Sequence, residues 1–307
     1  MTRPLRNLSE IAVIGGGLAG LAAARQAARR GRLVTLFEGG GIWGGLAATV
    51  DDIDGLGVPG RFSGQDIAMS LLGDARKVGV QVIESPVTRL DTGSAMMLTT
   101  DDGAIFHPEA VIVASGAALR PLGVPGEAEL AGRGVSRCAT CDGGFFRGQD
   151  VAVIGGGDAA VTEALVLART SSAVHMVCRS PLRAKREYVD ALASKANVHF
   201  VWDNEVTAIA GDNDVTGVAL RHVRTGEASL LACAGVFPFI GVDPVSGFLP
   251  AALLNDGEYI VTDARLTSGD PRIFAAGAVR AGYGGHIAQA MAEGMAAADA
   301  AARFLAK

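Results

Sequence analysis

Two cysteines separated by two residues, Cys138 and Cys141, stand directly before an acid, Asp142. Thiols at that spacing can close a disulfide within one turn of chain. A nearby cation or helix N-terminus lowers a thiol pKa into roughly the 3.5 to 7.5 range. Arg137 supplies a cation, and Asp142 is placed to exchange a proton with a departing thiolate. Half a zinc site and a pair of inert core cysteines are the competing uses. Cys178 and Cys233 fall singly on expected strands and no histidine pair has finger spacing, so no metal is expected. An inert pair has no need of an adjoining acid, and the pair is read as a redox disulfide.

A second kind of chemistry lies in two glycine clusters. Residues 11–20 read IAVIGGGLAG and residues 151–160 read VAVIGGGDAA, identical at seven of ten positions at an offset of 140. Each follows a short apolar run and precedes a helix of small residues, after which the chain returns to a strand (33–37 and 173–177). Each copy is thus a βαβ unit. In the pattern G-x-G-x-x-G/A one glycine makes the tight turn, another admits a pyrophosphate, and the last small residue lets helix and strand pack. The anion sits at the helix N-terminus. Gly15, Gly17 and Gly20 fill these roles first, and Gly155, Gly157 and Ala160 fill them second.

The end of each second strand bears on which nucleotide binds. Glu38 lies 23 residues after Gly15, where an acid accepts hydrogen bonds from an adenosine ribose. The position 23 residues after Gly155 is Cys178, followed by Arg179, with Arg183 four residues further. No carboxylate there repels a 2′-phosphate, and the arginines can pair with one, unless they are simply solvated surface charges. The first loop is expected to take FAD or NAD and the second to prefer NADP.

Around these loops the halves share one plan. The first continues with a helix near 66–77, a strand at 80–84, a hairpin turning at 101–103 and a strand at 111–114; the second has a helix near 182–195, a strand at 198–201, a hairpin near 212–214 and a strand near 234–239. From Gly15 to Val80 is 65 positions and from Gly155 to Val198 only 43. The 22 additional residues fall in a glycine-rich loop, 39–64, suited to wrapping a larger ligand. The tail, 257–307, carries a strand at 273–276 and a helix with Ile287, Ala290, Met291, Gly294, Met295, Ala298 and Leu305 as its packing face. With no third nucleotide loop to serve, the tail is expected to return to the first domain. The fold class expected is α/β, with two Rossmann-like, three-layer dinucleotide-binding domains, the second inserted in the first. The division runs 1–117 with 244–307, and 118–243.

Composition agrees with such an enzyme. The chain has 307 residues, 49% hydrophobic and 19% charged, so disorder is disfavoured and two domains are expected. The 42 glycines have no three-residue period and only 11 prolines accompany them, which excludes collagen and low-complexity linkers. A net charge of −5 gives no basic footprint for nucleic acid or an anionic membrane surface. The longest uncharged stretch, 228–242, is interrupted by Gly235, Pro238 and Gly241, short of the roughly 20 apolar residues a bilayer span needs. Residues 11–24 hold the first glycine cluster and are not read as a signal peptide. A cytoplasmic protein is expected.

Taken together, CATCDG followed by VAVIGGGDAA, the leading IGGGLAG, Ala114 to Gly116, GVFPFIG at 235–241 and IFAAG at 273–277 resemble the low-molecular-weight thioredoxin reductases over nearly the whole chain. The resemblance implies FAD in the first domain, NADPH in the second, a homodimer, and thioredoxin or a thioredoxin-like protein as partner. It implies that Cys141 meets the flavin, Cys138 attacks the protein disulfide and Asp142 is the acid/base. It adds Leu18, Ala19, Gly45, Leu46, Gly116, Gly277, Gln289 and Ala290 to the flavin site, and Asp158 and Ala159 to the NADPH site. The chain departs from the family's pattern in places. Ala278 stands where Asp usually holds the ribityl chain, and Ala288 stands where Arg usually precedes Gln-Ala. Cys178-Arg179-Ser180 replaces His-Arg-Arg, while Trp43-Gly44-Gly45-Leu46 lacks the Gln before Leu and Gly57 stands near a common Asn. One lost charge-assisted hydrogen bond is worth about 1.5 to 3 kcal/mol, too little to abolish binding of so large a cofactor.

Because the disulfide precedes the second nucleotide loop, nicotinamide and disulfide are expected to approach the flavin in turn. The domains would rotate on hinges near 116–121 and 241–244. The leading reading is an NADPH-dependent disulfide reductase. A flavin-dependent dithiol oxidase using oxygen and a redox or nucleotide sensor remain as alternatives; relatives of the oxidase kind tend to carry His after the second cysteine, where this chain has Asp142. His286 is read as an exposed loop residue.

Overall fold

Four apolar residues entering a glycine cluster form a fully buried parallel strand in both halves of the computed structural model. The model describes residues 9–306 apart from 52, 54, 55 and 57–59. Gly57 and part of the glycine-rich loop lie outside the described residues. The chain divides into two units, one holding residues up to Ala118 and from Asp243 onward, the other Leu119–Val242.

In the first unit the order is β1 (Ile11–Ile14), α1 (Leu18–Arg29), β2 (Val34–Phe37), α2 (Gly64–Lys77), β3 (Gln81–Ile83), β4 (Val87–Asp91), β5 (Met97–Thr100), β6 (Ile105–Phe106), β7 (Ala110–Val113) and β8 (Ala117–Leu119). The second unit adds α3 (Ala139–Asp142), β9 (Asp150–Ile154), α4 (Asp158–Leu167), β10 (Ala173–Cys178), α5 (Arg186–Ala193), β11 (Val198–Trp202), β12 (Asn204–Gly211), β13 (Val215–His222), β14 (Ala228–Ala232) and β15 (Gly235–Pro238). The chain then returns through β16 (Val242–Pro244), β17 (Ile273–Ala275) and α6 (Ile287–Phe304). β8 and β16, the two passages between units, pair as a ribbon.

Each unit is a parallel sheet covered on both faces. The first sheet has the order β17-β7-β1-β2-β3, the second β11-β10-β9-β15. Ile11 and Val13 point to a layer built with α1, α2 and α6, while Ala12 and Ile14 point to Leu90, Leu98 and the rest of the β4-β5-β6 meander. Val151 and Val153 face α4, while Ala152 and Ile154 face Val215, Val218 and Leu220 of the β12-β13-β14 meander. Burial on both faces is why these strands read as unbroken apolar runs instead of alternating ones. Helix ends follow local chemistry. The Ser63 hydroxyl accepts from the Asp66 N–H at 3.0 Å to start α2, and Arg76 and Lys77 complement the dipole at its end.

The structure corrects two details of the sequence reading. The helix expected near 182–195 spans only Arg186–Ala193, because the Arg183 N–H is taken by the Gly156 carbonyl at 2.7 Å and the Lys185 N–H by Asp158 Oδ1 at 2.7 Å. On α6, Met295 is exposed, whereas Glu293, a charged residue outside the expected packing face, is buried. Among the described residues no helix is long and apolar enough to cross a membrane.

Candidate functional site

In the first unit the glycine turn is set by backbone sterics. Gly15 has φ +106°, and a Cβ there would strike the Ala114 carbonyl and the Ser115 backbone on the loop leaving β7 toward Gly116. Gly17 is the N-cap of α1 and brings no side-chain cap, so the helix opens with its N–H groups unclaimed by side chains; Leu18, Ala19 and Gly20 form its buried first turn. Gly20 packs against the Gly15 carbonyl so closely that no Cβ fits. We expect Gly20→Val to lower the recovered amount of folded protein and its cofactor content severalfold relative to wild type, read by the flavin-to-protein absorbance ratio. Retention of full cofactor content would contradict this packing argument.

At the end of β2, Glu38 Oε2 accepts from the Gly16 N–H and Oε1 from the Gly40 N–H, both at 2.5 Å. The Gly44 N–H bonds the Gly16 carbonyl at 2.9 Å, bringing the 43–46 segment to the loop. Gly45 begins a 3₁₀ turn, Gly45–Thr49, on which Leu46 is exposed. Gly277 follows β17 with φ +75° beside Ala19 and Ala290. Gln289 lies on the first turn of α6, where its Oε1 accepts from the Gly284 N–H at 3.0 Å. The fold therefore gathers Gly15, Gly17, Leu18, Ala19, Gly20, Glu38, Gly45, Gly277 and Ala290 around one helix start. Gly116 reaches the same loop through its neighbour Ser115. His286 is exposed at the N-cap of α6 and makes no side-chain cap bond.

A buried charge at this site was invisible in the sequence. Glu293 accepts from the Gly277 N–H at 2.9 Å, from Gln289 Nε2 at 2.8 Å and from both Nε and Nη2 of Arg280. Burial alone would push its carboxyl up, but Arg280, the Gly277 N–H and Gln289 together hold it below its ordinary value. The half-buried Ala278 brings no acceptor. Glu293 is the acid that fixes the Gly277 turn.

The second unit repeats the turn at Gly155, with φ +133° and its would-be Cβ against the Phe239 carbonyl and Ala160. Gly157 caps α4, Asp158 and Ala159 are exposed in its first turn, and Ala160 is buried. Cys178 is buried, donates to the Gly155 carbonyl at 3.3 Å, and has its thiol pushed up to about 11 by that burial. Arg179 and Arg183 are exposed, and among the described residues neither side chain has a hydrogen-bond or ion-pair partner.

Cys138 and Cys141 are joined in a disulfide with Cα atoms 5.3 Å apart. Cys138 is buried and caps the short helix α3, its Sγ accepting from the Cys141 N–H at 3.1 Å; Cys141 is exposed. Ser136, itself buried, donates to Asp142 Oδ2 at 2.6 Å and accepts from the Cys138 N–H at 3.2 Å. Glu163 Oε2 on α4 accepts from the Ala139 N–H at 2.6 Å, so the helix that opens at the glycine loop also holds the start of the dithiol turn. Behind it, Phe146 packs edge-on against Phe237 with ring centroids 5.4 Å apart. Sequence reasoning missed Ser136 and Glu163; the Ser-x-Cys spacing was the one signal available for the former.

A twice-repeated dinucleotide fold carrying a vicinal disulfide defines a class, the disulfide oxidoreductases that work with a flavin and a nicotinamide nucleotide. The family model of the pyridine nucleotide-disulphide oxidoreductases matches residues 9–294, and the chain belongs to that family. It is 40% identical over 299 residues to the thioredoxin reductase of Treponema pallidum, covering 96% of this chain and 97% of that protein. It is 36% identical over 304 residues to a bifunctional thioredoxin reductase/thioredoxin of Mycobacterium leprae, covering 98% of this chain and 66% of that protein. The crystal structure of Lactococcus lactis thioredoxin reductase matches with a TM-score of 0.91 at 34% identity, over 97% of this chain and 99% of that one. The chain is accordingly an oxidoreductase, and FAD and NADPH are the cofactors that accompany this family. Its residues fit them: an uncapped helix start and an oriented Glu38 carboxylate in one unit, and two unpaired arginines past β10 in the other.

Proposed function

We propose that this protein passes electrons from NADPH through FAD to the Cys138–Cys141 disulfide and on to thioredoxin or a thioredoxin-like protein. The observation that carries the reading is the disulfide itself, placed beside an acid that a buried serine orients. The first unit holds FAD, with Glu38 accepting from the adenosine ribose and the start of α1 facing the pyrophosphate. The second unit holds NADPH on the Gly155 loop, with Arg179 and Arg183 toward the phosphate-bearing ribose. The protein works as a cytoplasmic homodimer.

FAD, when bound, would supply two-electron chemistry between NADPH and sulfur. What the chain contributes is control of sulfur and protons. Two electrons and two protons convert Cys138–Cys141 to the dithiol. The Cys141 N–H, which already points at Cys138 Sγ, stabilises that sulfur as a thiolate. Cys138 then attacks one sulfur of the partner's disulfide and the partner's other sulfur leaves. Cys141 resolves the mixed disulfide, restoring the Cys138–Cys141 bond and releasing the partner as a dithiol. Asp142, held by Ser136, takes the proton from the attacking thiol and returns one to the leaving sulfur.

NADPH consumption in the presence of oxidised thioredoxin tests the reading, and absence of thioredoxin-dependent turnover would refute it. In the same assay Asp142→Asn is expected to slow turnover by about 10²- to 10⁴-fold. Reduction of the flavin by NADPH alone should continue near the wild-type rate. Ser136→Ala should cost about 10- to 150-fold, the equivalent of one hydrogen bond to a charged group.

A further inference from the structure

The segment after β10 and the turn joining β13 to β14 enclose a cleft of about 650 Å³, whose walls include Arg179, Glu205, Arg221, His222 and Arg224. Its position follows from strand register. Cys178 at the end of β10 pairs with Trp202 at the end of β11. β12 begins two residues later, and Asn204 pairs with His222 on β13. The hairpin end is thereby carried to the carboxyl edge of the parallel sheet, where α/β folds bind nucleotides. Arg179 is common to both features. It directly follows the strand whose end meets the nucleotide ribose, and it also forms a wall of the cleft.

The cleft brings three guanidinium groups together. Arg221 is forked onto Glu205 Oε1 through Nε at 2.8 Å and Nη2 at 2.5 Å. Arg224 Nη2 donates to Asp203 Oδ2 at 2.8 Å. Arg179 has no such partner among the described residues. The two acids leave one positive charge uncompensated. Since a guanidinium carries five N–H donors, Arg221 and Arg224 also retain donors beyond those their carboxylates use. Side-chain exposures of 58% for Arg221 and 75% for Arg224 make both ion pairs weak enough to be shared with an incoming anion. The Glu205 and Asp203 contacts pre-position the forks and leave N–H donors unused on each.

We propose that Arg221 and Arg224, together with Arg179, form a site for the phosphate monoester on the adenosine ribose. The β13–β14 hairpin then contributes to selecting NADPH over NADH. The proposal rests on the reading that the Gly155 loop binds this nucleotide. It also accounts for Ser180, which cannot pair with a phosphate dianion as an arginine would; the compensating charges come from a hairpin some forty residues further along the chain.

The test uses the FAD-loaded full chain with Arg221→Gln, Arg224→Gln and the double variant. Equilibrium binding of adenosine 2′,5′-bisphosphate is set against adenosine 5′-monophosphate, and NADPH against NADH. Each single variant should weaken the bisphosphate and NADPH about tenfold and the double variant about a hundredfold, with the monophosphate and NADH unchanged. Unchanged bisphosphate affinity in the double variant, in a wild type that does prefer NADPH, overturns the inference and leaves the proposed function standing. Equal losses for phosphorylated and unphosphorylated ligands overturn it too, since they report a structural effect. A wild type that binds neither NADPH nor NADH overturns the proposed function with it.

Discussion

Serine in place of either cysteine of the pair abolishes turnover with thioredoxin, lowering it by more than about 10³-fold, while NADPH still bleaches the flavin. The two halves of that result separate the chemistry. Hydride acceptance needs only the nucleotide sites, whereas delivery to a protein disulfide needs both sulfurs. The single variants also differ from one another. Cys141→Ser keeps the Cys138 thiol at the cap of α3, where a backbone N–H is aimed at its sulfur, and should accumulate a stable mixed disulfide with thioredoxin. Cys138→Ser should accumulate none. Cys141 is the exposed member of the pair, so mass analysis of the trapped complex bears directly on the assignment. Trapping by Cys138→Ser instead would reverse the roles of the two sulfurs.

The second large effect concerns stability. Glu293→Ala leaves the Arg280 guanidinium half-buried and unpaired and strips the Gly277 N–H of its acceptor. Breaking a buried pair from one side costs about 3 to 5 kcal/mol. For a unit of this size that lowers the thermal midpoint of the holoprotein by about 6 to 20 °C. The pH dependence has a defined sign. The Glu293 carboxyl is held below its ordinary value in the folded protein. Its stabilising contribution is therefore fully present above the unfolded carboxyl's pKa and is lost as pH falls through the folded one. Wild type and Glu293→Gln should accordingly differ most in thermal midpoint at neutral pH and converge in acid. A constant difference across that range would mean that the charge on Glu293 is not what stabilises the turn.

These two results draw on very different amounts of sequence information. The glycine loops were legible because their requirements are local. Gly15 and Gly155 must take a positive φ, Gly20 and Ala160 must be small, and both copies announce this within ten residues. Cys138, Cys141 and Asp142 were legible for the same reason, since a vicinal disulfide and its acid are adjacent in the chain. The pair of Arg280 and Glu293 was not, because a helical stripe of alanines and methionines gives no sign that Glu293 turns inward to a partner thirteen residues earlier. The hairpin arginines escaped notice likewise, because only strand register carries them to the end of β10. The start of α5 was misjudged because two N–H groups expected to enter a helix are claimed by Gly156 and Asp158.

An anaerobic titration of the FAD-loaded protein tests the central claim most directly. NADPH should bleach the flavin, and oxidised thioredoxin added next should restore its colour while appearing as the dithiol. The account is contradicted if NADPH leaves the flavin oxidised while a small dithiol bleaches it, or if the bleached flavin stays colourless when thioredoxin is supplied.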